Sequence, residues 1–525
     1  MPRNKQIGFA GYTEAARWIV LIGLMLGAIL EVLDVSIVNV AIPDMMGSLG
    51  ATLDQINWVS TGYIIANVII LPLTGWLSAR FGRRLYLTGS ILLFTAASLF
   101  CGLSSNLNTL IFFRVLQGAG GAALLSTSMA TLLEIFPPQQ QGLVAGIFGI
   151  GVMVGPTIGP KLGGFITDNY SWPWIFFINI PVGILAASLT MLYLHDSDHQ
   201  EVTSAKADWI GIILLAIGVG CLQVVLERGN RENWMESSMI RWLSSISFVG
   251  MLSFIWWELK IDNPAVNLRV LKNRGLSAGT VYSAVVGFAM YGSLFILPIF
   301  LQQVRGYTAD QTGQMMMIDG AAAVISMALV SKLVDRLSSR ILVGLGSLFF
   351  AYAMFLLGKV TLNTGPEHLY LPLILRGTSL GLLFVPLSLA SLSGLKGKEM
   401  ADGSGLFNLT RQWGGSLGIA FLSTMLDHRT EMHRAFLAEH ITAYSPIVQY
   451  FYHKLSAYFV LQGSALATAK MQAFAAMDTI LQGQAAVLAF EDAFLCISIA
   501  FIITLPLIFL MQKGRAVSDK AIVTH

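Results

Sequence analysis

Charge is the scarcest property of this chain. Charged side chains make up 12% of its 525 residues, whereas hydrophobic side chains make up 55%. Soluble domains carry about 25% charged residues, because their surfaces must face water. A soluble protein is therefore excluded, and so is a disordered chain, since disordered chains are polar and rich in charge. The composition predicts an all-α integral membrane protein with many spans.

Several chemical signals are also missing. The three cysteines lie in apolar runs, so we expect no disulfide framework. No GxxxxGK[ST] sequence occurs, which excludes ATP as the direct energy source. There is no nucleophile motif and no cluster with metal-ligand spacing, so we expect neither an enzyme nor a metal site. The net charge of +3 does not favour a nucleic-acid partner.

What the chain has instead is a series of apolar runs, each long enough to cross a bilayer. A helical span needs about 20 mostly apolar residues. By this criterion we predict fourteen spans, near 17–42, 56–78, 86–104, 107–131, 142–166, 174–194, 208–226, 239–258, 276–301, 312–334, 340–359, 369–393, 402–426 and 487–511.

The lysines and arginines orient these spans. Most of them fall in segments on the same side as the N-terminus, and positively charged loops stay in the cytoplasm. We therefore expect both termini to be cytoplasmic. The first run has no cleavage site and contains Glu31 and Asp34, so we interpret it as an uncleaved span.

An internal repeat divides the chain. The segment at 75–84 (GWLSARFGRR) resembles that at 331–340 (SKLVDRLSSR), and Arg114 in the fourth span matches Arg376 in the twelfth. This order predicts two parallel six-helix halves. The predicted organisation is an N-terminal half at 1–200, two inserted helices with a cytoplasmic linker at 201–274, and a C-terminal half at 275–525 that includes a long outer loop at 427–486.

Asp34, in the first span, is the first candidate for a functional residue. A carboxylate at this depth costs several kcal/mol when charged, so it must face a cavity, find a partner or bind a proton. Glu31 lies three residues earlier, on the same helical face. We predict proton coupling at Asp34 and Glu31, with a structural carboxylate bonded to a neighbouring helix as the alternative for each.

Other intramembrane polar residues complete the candidate site. Arg114 cannot lose its proton, so it needs a polar partner, and we predict that it biases the protonation of a nearby acid. Asp319 is a second buried acid, and we predict a substrate site or second proton site there, with Gln117 and Asn39 as further contacts; a structural role for Asp319 is an equal alternative. Arg376 is interpreted as structural, and Arg411 is left open.

The fifth span is rich in glycine. Gly151, Gly155, Gly159 and Gly163 recur every four residues and form one smooth face for tight helix packing. Pro156 and Pro160 in the same span are expected to kink or stiffen it. Lys161 either snorkels outward or lines the pathway. A close-packed helix pair without motion is the alternative interpretation.

The loop between the second and third spans is basic. We interpret it as a charged latch that holds neighbouring helix ends together in one conformation, with a topological anchor as the alternative. The residues of this motif and its repeat are Gly75, Arg80, Gly82, Arg83, Arg84, Asp335 and Arg336.

Together these motifs resemble a known family. LDVSIVNVAIP, GWLSARFGRR, RVLQGAGG, the glycine-proline run of the fifth span and WIFFINIPVG are similar to the fourteen-helix drug:proton antiporter branch of the major facilitator superfamily, of the EmrB type. The resemblance covers nearly the whole chain. It implies a major facilitator fold in which two extra helices separate the halves. It also implies that the fifth-span run is an antiporter motif. Two departures are Ala79, where the family usually has Asp, and Pro160, where glycine is common.

The resemblance implies a function as well. We expect a proton-driven multidrug efflux antiporter of the bacterial inner membrane, working by alternating access on small hydrophobic or cationic substrates. It needs no cofactor beyond the coupling proton. A periplasmic adaptor and an outer-membrane channel are implied partners, with the outer loop as docking surface. The alternatives are a dedicated exporter of one metabolite (a siderophore or fatty acid), an uptake symporter, or a receptor or scaffold that does not transport.

Overall fold

A computed structural model describes residues 12–196, 208–334, 336–361, 364–393, 395, 398–442 and 444–510. Helices dominate this part of the chain, and no strand occurs within it. The predicted boundary between the N-terminal half and the inserted helices, at 200–201, and the motif residue Asp335 lie outside the described residues.

Fifteen long helices organise the described residues, and they are numbered here in chain order. They are α1 Glu14–Leu49, α2 Trp58–Phe81, α3 Arg83–Gly102, α4 Leu107–Ile135, α5 Pro138–Asn169, α6 Trp174–Tyr193, α7 Trp209–Arg228, α8 Ser238–Lys260, α9 Arg274–Val304, α10 Gln311–Leu333, α11 Ser339–Leu357, α12 Glu367–Leu392, α13 Lys398–Glu439, α14 Pro446–Leu461 and α15 Leu466–Phe509.

Thirteen of these helices, all except α13 and α14, are long and apolar enough to span a membrane. The predicted span at 402–426 lies inside α13, which carries Asp402, Asn408 and Arg411. This part of α13 packs among other helices, and residues 400–409 are all buried. Because this stretch faces protein rather than lipid, its polar side chains do not meet the apolar part of a membrane. The prediction of a helical multi-span fold is confirmed.

Capping residues mark where several spans begin and end. The Thr13 hydroxyl accepts a hydrogen bond from the Ala16 amide at the start of α1, and Asn106 caps α4 in the same way. Thr308 and Gln311 form a capping box before α10. Such caps satisfy amide groups that have no partner within the helix. At the other end of α1, Gly50 adopts the left-handed conformation that glycine tolerates best.

The two halves meet on one side of the bundle, here called the N-terminal side because α1 begins there. Gly146 near the start of α5 packs against Ser331 near the end of α10. The Ser404 hydroxyl on α13 donates a hydrogen bond to the Ser126 carbonyl on α4, at 2.8 Å. Helix α13 also packs against the N-terminal-side end of α2, where Gly405 faces the Leu71 carbonyl. The N-terminal-side ends of the halves are thus in direct contact.

The helices α7 and α8 lie at the edge of the bundle and touch both halves. Helix α8 packs on α7, where Ser247 donates a hydrogen bond to the Gly218 carbonyl. Helix α7 packs against α2 of the N-terminal half and hydrogen-bonds to α13 of the C-terminal half through Gln223 and Ser416. A second hydrogen bond to α13 joins Asn230, just after α7, to Asp427. The inserted pair therefore bridges the halves.

The long loop predicted at 427–486 is helical in its described residues. Helix α13 has 42 residues, and at 1.5 Å per residue it extends for about 63 Å, well past a hydrocarbon core of about 30 Å. Helix α14 packs against the first part of α15 at the tip of this projection. The projection exposes aromatic side chains, among them Tyr444, Tyr450 and Phe474.

Candidate functional site

Asp34 lies fully buried in α1 and is surrounded by donors. An Arg114 Nη1 group pairs with its Oδ2 atom. Its Oδ1 atom accepts hydrogen bonds from Gln117 at 2.8 Å and from Asn179 at 3.0 Å. A charged carboxylate is stable in a bilayer only with such partners. The structure thus brings together Asp34, Arg114 and Gln117, three of the residues predicted from sequence.

Arg114 has partners besides Asp34. Its Nε group donates to the Val59 carbonyl at 3.0 Å, and its Nη1 group also donates to Gln117 at 2.7 Å. The guanidinium lies 4.3 Å from the centre of the Tyr63 ring, in the geometry of a cation–π interaction. The guanidinium therefore remains partly satisfied if Asp34 becomes neutral. This arrangement suits a carboxylate that gains and loses a proton.

Two members of this cluster were not predicted from sequence. Asn179 at the start of the main helix of α6 donates to both Asp34 and Ser98, the latter at 3.0 Å. Tyr63 on α2 contacts Arg114 with its ring. A lone amide in an apolar run gives a weak signal, because an Asn side chain often hydrogen-bonds to nearby backbone, and a lone tyrosine is commonly part of the packing. The position of Asn179 within the WIFFINIPVG motif was the only hint in the sequence.

Glu31 occupies a second position on the same face of α1. Its Oε1 atom accepts a hydrogen bond from the Asn67 side chain at 3.1 Å, and its Oε2 atom is buried without a hydrogen-bond partner among the described residues. Asn39, predicted as a substrate contact, lies further along α1. It is exposed and hydrogen-bonds to Ser60 at 3.2 Å, outside the Asp34 cluster.

A separate acid–arginine pair lies in the C-terminal half. Arg376 on α12 donates to Asp319 Oδ2 on α10 at 3.1 Å, and both side chains are buried. Arg376 also donates to the Ser293 hydroxyl on α9 at 3.2 Å. The Oδ1 atom of Asp319 is buried without a hydrogen-bond partner in the described part of the chain. Each half therefore contains a buried acid paired with an arginine, and the two arginines are the ones that match in the sequence repeat.

The four glycines that recur every four residues in α5 all face α1. Side chains added at Gly151, Gly155, Gly159 and Gly163 would each collide with residues between 25 and 37 of α1. At Gly155 the obstacle is backbone, with the Leu33 nitrogen only 2.8 Å from an added Cβ. The hydroxyl of Ser36 then donates to the Gly155 carbonyl at 3.0 Å. The glycine run thus lets α5 lie directly against the helix that carries Glu31 and Asp34.

Pro156 and Lys161 are two further residues of α5 for which the sequence suggests a special role. Pro156 lies within α5, which continues as one helix from Pro138 to Asn169. Lys161 is exposed, and it takes no part in the Asp34 cluster.

The basic loop motif ties several helix ends together on the N-terminal side. Arg83 forms an ion pair with Glu134 at the end of α4, with a second contact at 2.7 Å. The Arg84 side chain donates to the Met191 carbonyl of α6 at 2.8 Å, and its amide donates to Asp196. Gly82 takes a positive φ of 80° at the turn. These contacts all lie within the N-terminal half.

Gly75 is the motif residue that faces the other half. An added Cβ there would overlap the Asp402 carboxylate of α13 and lie 2.9 Å from the Asp402 amide nitrogen. Asp402 is buried and was not predicted from sequence. The repeat residue Arg336 is exposed beyond the end of α10. Motif and repeat therefore occupy the same side of the bundle.

The chain has two helical halves, each with a buried acid–arginine pair, and its match to known transporters identifies it as a membrane transporter rather than an enzyme. The model of the Major Facilitator Superfamily matches residues 24–419, and the chain belongs to that superfamily. Within it, the chain belongs with the EmrB-type proteins, since it is 36% identical to the multidrug export protein EmrB of Escherichia coli over 86% of this chain and 88% of that protein. The family predicted from the motifs is confirmed.

Two further comparisons extend this result. The fatty acid resistance protein FarB of Neisseria gonorrhoeae is 33% identical over 95% of this chain and 96% of that protein. Among solved structures, the human organic anion transporter MFSD10 superposes with a TM-score of 0.59 over 92% of this chain and 99% of that one. At 13% sequence identity, that superposition shows a shared fold only.

Proposed function

We propose that this protein is a proton-driven multidrug efflux antiporter that works by alternating access. The observation that supports it best is the Asp34 cluster. Arg114 pairs with the buried Asp34 carboxylate, and it keeps hydrogen bonds to Val59 and Gln117 when that acid is neutralised. The similarity to EmrB supports export of several small compounds. In this proposal, a cationic or hydrophobic substrate competes with the proton for the Asp34 carboxylate.

The proposed cycle uses the carboxylates of α1. When the transporter is open on the side opposite the N-terminal side, Asp34 and Glu31 take up protons and the substrate leaves. The halves then rock, and α1 moves with α5 because the glycine face holds the two helices together. On the other side the protons leave and substrate binds. Coupling requires only that proton and substrate bind exclusively or favour opposite states.

The halves are proposed to meet on the cytoplasmic side in this structure. The N-terminal-side contacts at Gly146 and Ser404 close that side of the bundle. With both termini in the cytoplasm of a bacterium and the protein in its inner membrane, the site would open to the periplasm. The projecting helices α13–α15 would then reach into the periplasm, and their exposed aromatic residues suit docking of an adaptor that leads to an outer-membrane channel.

A dedicated exporter of fatty acids is the second candidate. The similarity to FarB supports it, because that relative covers nearly the entire chain and its name concerns fatty acid resistance. The Asp319–Arg376 pair could bind either class of substrate: Asp319 would bind a cationic drug, and Arg376 would bind the carboxylate of a fatty acid. We propose it as a substrate or second proton site.

Efflux from a pump-deficient bacterial strain tests the proposal. Cells that express the protein are loaded with a panel of cationic dyes, uncharged drugs and medium-chain fatty acids, with and without an uncoupler. The proposal expects export of several unrelated compounds that stops with the uncoupler. Export of fatty acids alone supports the second candidate, and export that is insensitive to the uncoupler refutes proton coupling.

A further inference from the structure

The halves of this protein meet along two lines of contact, here called the first and the second seam. In the first seam α13 packs against α2, and α7 contacts both helices. Leu215 and Val219 of α7 share one hydrophobic cluster with Val68 of α2 and Leu406 of α13. The inserted helices therefore cover the first seam and shield it from the surrounding lipid.

The second seam lies between α5 and α10. These two helices run antiparallel, with Gly146 against Ser331 and Thr157 against Gly320. Leu329 of α10 is 61% exposed at this seam, and no other described helix covers it. In a membrane the second seam therefore faces lipid.

A groove of about 380 Å³ follows the second seam on the N-terminal side of the bundle. This volume lies within the range of pockets that bind small molecules, about 300–1,000 Å³. The walls of the groove are apolar, and both halves contribute to them. Leu143, Ile147 and Ile150 of α5 form one wall, and Ile325 and Leu329 of α10 belong to the other.

A lysine interrupts this apolar lining. Lys332 lines the groove, is exposed and belongs to the last turn of α10. It forms no ion pair with any residue in the part of the chain that the structure describes. The neighbouring Ser331 is satisfied locally, since its hydroxyl donates to the Ala328 carbonyl at 2.9 Å. The Lys332 ammonium group therefore needs water or an anion from outside the protein.

The position of Lys332 along α10 places its charge at the membrane surface. The span Gln311–Leu333 ends one residue later, so Lys332 lies at the level of the lipid headgroups. From Lys332 to Val324 the groove extends for about 12 Å along the helix, toward the middle of a hydrocarbon core about 30 Å thick. The groove thus offers a cation at headgroup level and apolar walls at acyl-chain level.

We propose that this groove is a binding site for one anionic phospholipid, with the phosphate on Lys332 and an acyl chain between α5 and α10. Basic pockets between membrane helices bind acidic headgroups in this way. The bound lipid contacts both halves and covers the second seam, as α7 and α8 cover the first. Placing it in the cytoplasmic leaflet rests on the orientation of the termini proposed above.

The groove is separate from the proposed transport sites. Its lining residues take no part in the Asp34 cluster or in the Asp319–Arg376 pair. A fatty acid has the same chemistry as the proposed lipid, an anionic group on an acyl chain. The phospholipid is favoured because the groove opens to the bilayer, where phospholipid surrounds the protein at all times.

Native mass spectrometry of the purified full-length protein tests the site. Delipidated protein in detergent is titrated with phosphatidylglycerol, phosphatidylcholine or laurate, and the bound molecules are counted. We expect one phosphatidylglycerol to bind at a lower concentration than any phosphatidylcholine. Equal binding of the two phospholipids, or binding of laurate without phosphatidylglycerol, would overturn the proposal.

Substitutions of the lysine test the headgroup contact. Lys332→Gln should weaken the binding of phosphatidylglycerol about fivefold, which is what one lysine near a membrane surface contributes, and should leave that of phosphatidylcholine unchanged. Lys332→Arg should retain the preference. Lys260→Gln, which removes an exposed lysine at the same-side end of α8, is the control and should bind as the wild type.

Filling the groove tests the acyl-chain contact. Ala328 is an exposed lining residue, so Ala328→Trp should block the groove without overpacking the core and should abolish the tight phosphatidylglycerol. Ala321→Trp adds the same side chain at an exposed position two turns earlier on α10, outside the groove, and should leave binding unaltered.

Wild-type binding by both Lys332→Gln and Ala328→Trp would locate the lipid elsewhere and overturn the proposal. Both substitutions alter exposed residues, and size-exclusion chromatography checks that each variant is folded. The measurement uses no proton gradient and no transported compound. Failure of the lipid site and failure of antiport in the efflux assay are therefore seen in separate experiments.

Discussion

Asp34 on α1 and Arg114 on α4 form an ion pair that lies wholly inside the N-terminal half, although the two residues are 80 positions apart in sequence. Asp34 is also held by Gln117 and Asn179, and Arg114 also by the Val59 carbonyl. The pair thus forms a fixed polar centre within an apolar bundle. A change of charge within this pair can occur only at the acid, since arginine keeps its proton.

Neutralising Asp34 should abolish proton-driven export. In Asp34→Asn the side chain keeps its size and one hydrogen-bond acceptor, so Arg114, which retains Val59 and Gln117, stays satisfied and the protein folds. We expect loss of substrate export in everted vesicles, with normal yield and normal size-exclusion behaviour. Asn39→Asp, at an exposed site on the same helix, serves as a control for expression. Full transport by Asp34→Asn would refute the role of this acid.

Gly155→Ala should disrupt packing between α5 and α1. The new Cβ would lie 2.8 Å from backbone atoms of Val32 and Leu33, which cannot rotate away. Overpacking of this kind costs about 1–3 kcal/mol. We expect a lower temperature of unfolding in detergent and weaker export.

Gly164→Ala is the matched control for that substitution, because the same helix leaves open space at this position apart from one Val40 methyl 4.0 Å away. It should behave as the wild type. Equal stability of the two variants would contradict the close approach of α5 to α1.

Gly146→Ala should favour opening on the N-terminal side. The added methyl group would overlap Ser331 in the opposite half and lie 3.2 Å from the Met327 carbonyl. The strain acts between the halves, so the closed state rises in free energy while each half keeps its fold. We expect faster reaction of Asn408→Cys with a water-soluble maleimide. Gly89→Ala, where an added Cβ meets nothing within 4 Å, should leave that rate unchanged.

Arg376→Gln alone should destabilise the protein more than the double substitution that removes both charges of the Asp319–Arg376 pair. The substitution leaves the buried Asp319 without its cation, and an unpaired buried charge costs about 3–5 kcal/mol. Adding Asp319→Asn removes that charge, so the double variant should recover much of the lost thermal stability. Thermal unfolding followed by tryptophan fluorescence measures this. A double variant less stable than Arg376→Gln would contradict the account.

Much of this arrangement is readable from the sequence, because charge inside a membrane span is rare. That rarity points to Asp34, Glu31, Arg114 and Asp319, and the four-residue spacing of glycines in α5 predicts a packing face. The pairing of Asp34 with Arg114 and of Asp319 with Arg376 requires the structure, since spacing along one helix does not reveal which helix is its neighbour. The division into segments at 1–200, 201–274 and 275–525 remains a prediction.

Other features could not be predicted for physical reasons. Asn179 and Tyr63 are single polar residues in apolar helices, where an Asn often hydrogen-bonds to nearby backbone and a Tyr often packs through its ring. Asp402 gains its importance from lying against Gly75, a contact between residues more than 300 positions apart. For the span predicted at 402–426, the sequence does not show that residues 400–409 of α13 are all buried among other helices, which allows so polar a segment to lie within the bundle.

Proton release on substrate binding is the most direct test of exchange at the Asp34 cluster. Purified protein in weakly buffered detergent solution is mixed with a saturating amount of a compound that it exports, and a pH indicator records released protons. We expect release by the wild type and little or none by Asp34→Asn, although the variant remains folded. Substrate binding by the wild type without any proton release, at a pH where transport occurs, would contradict it.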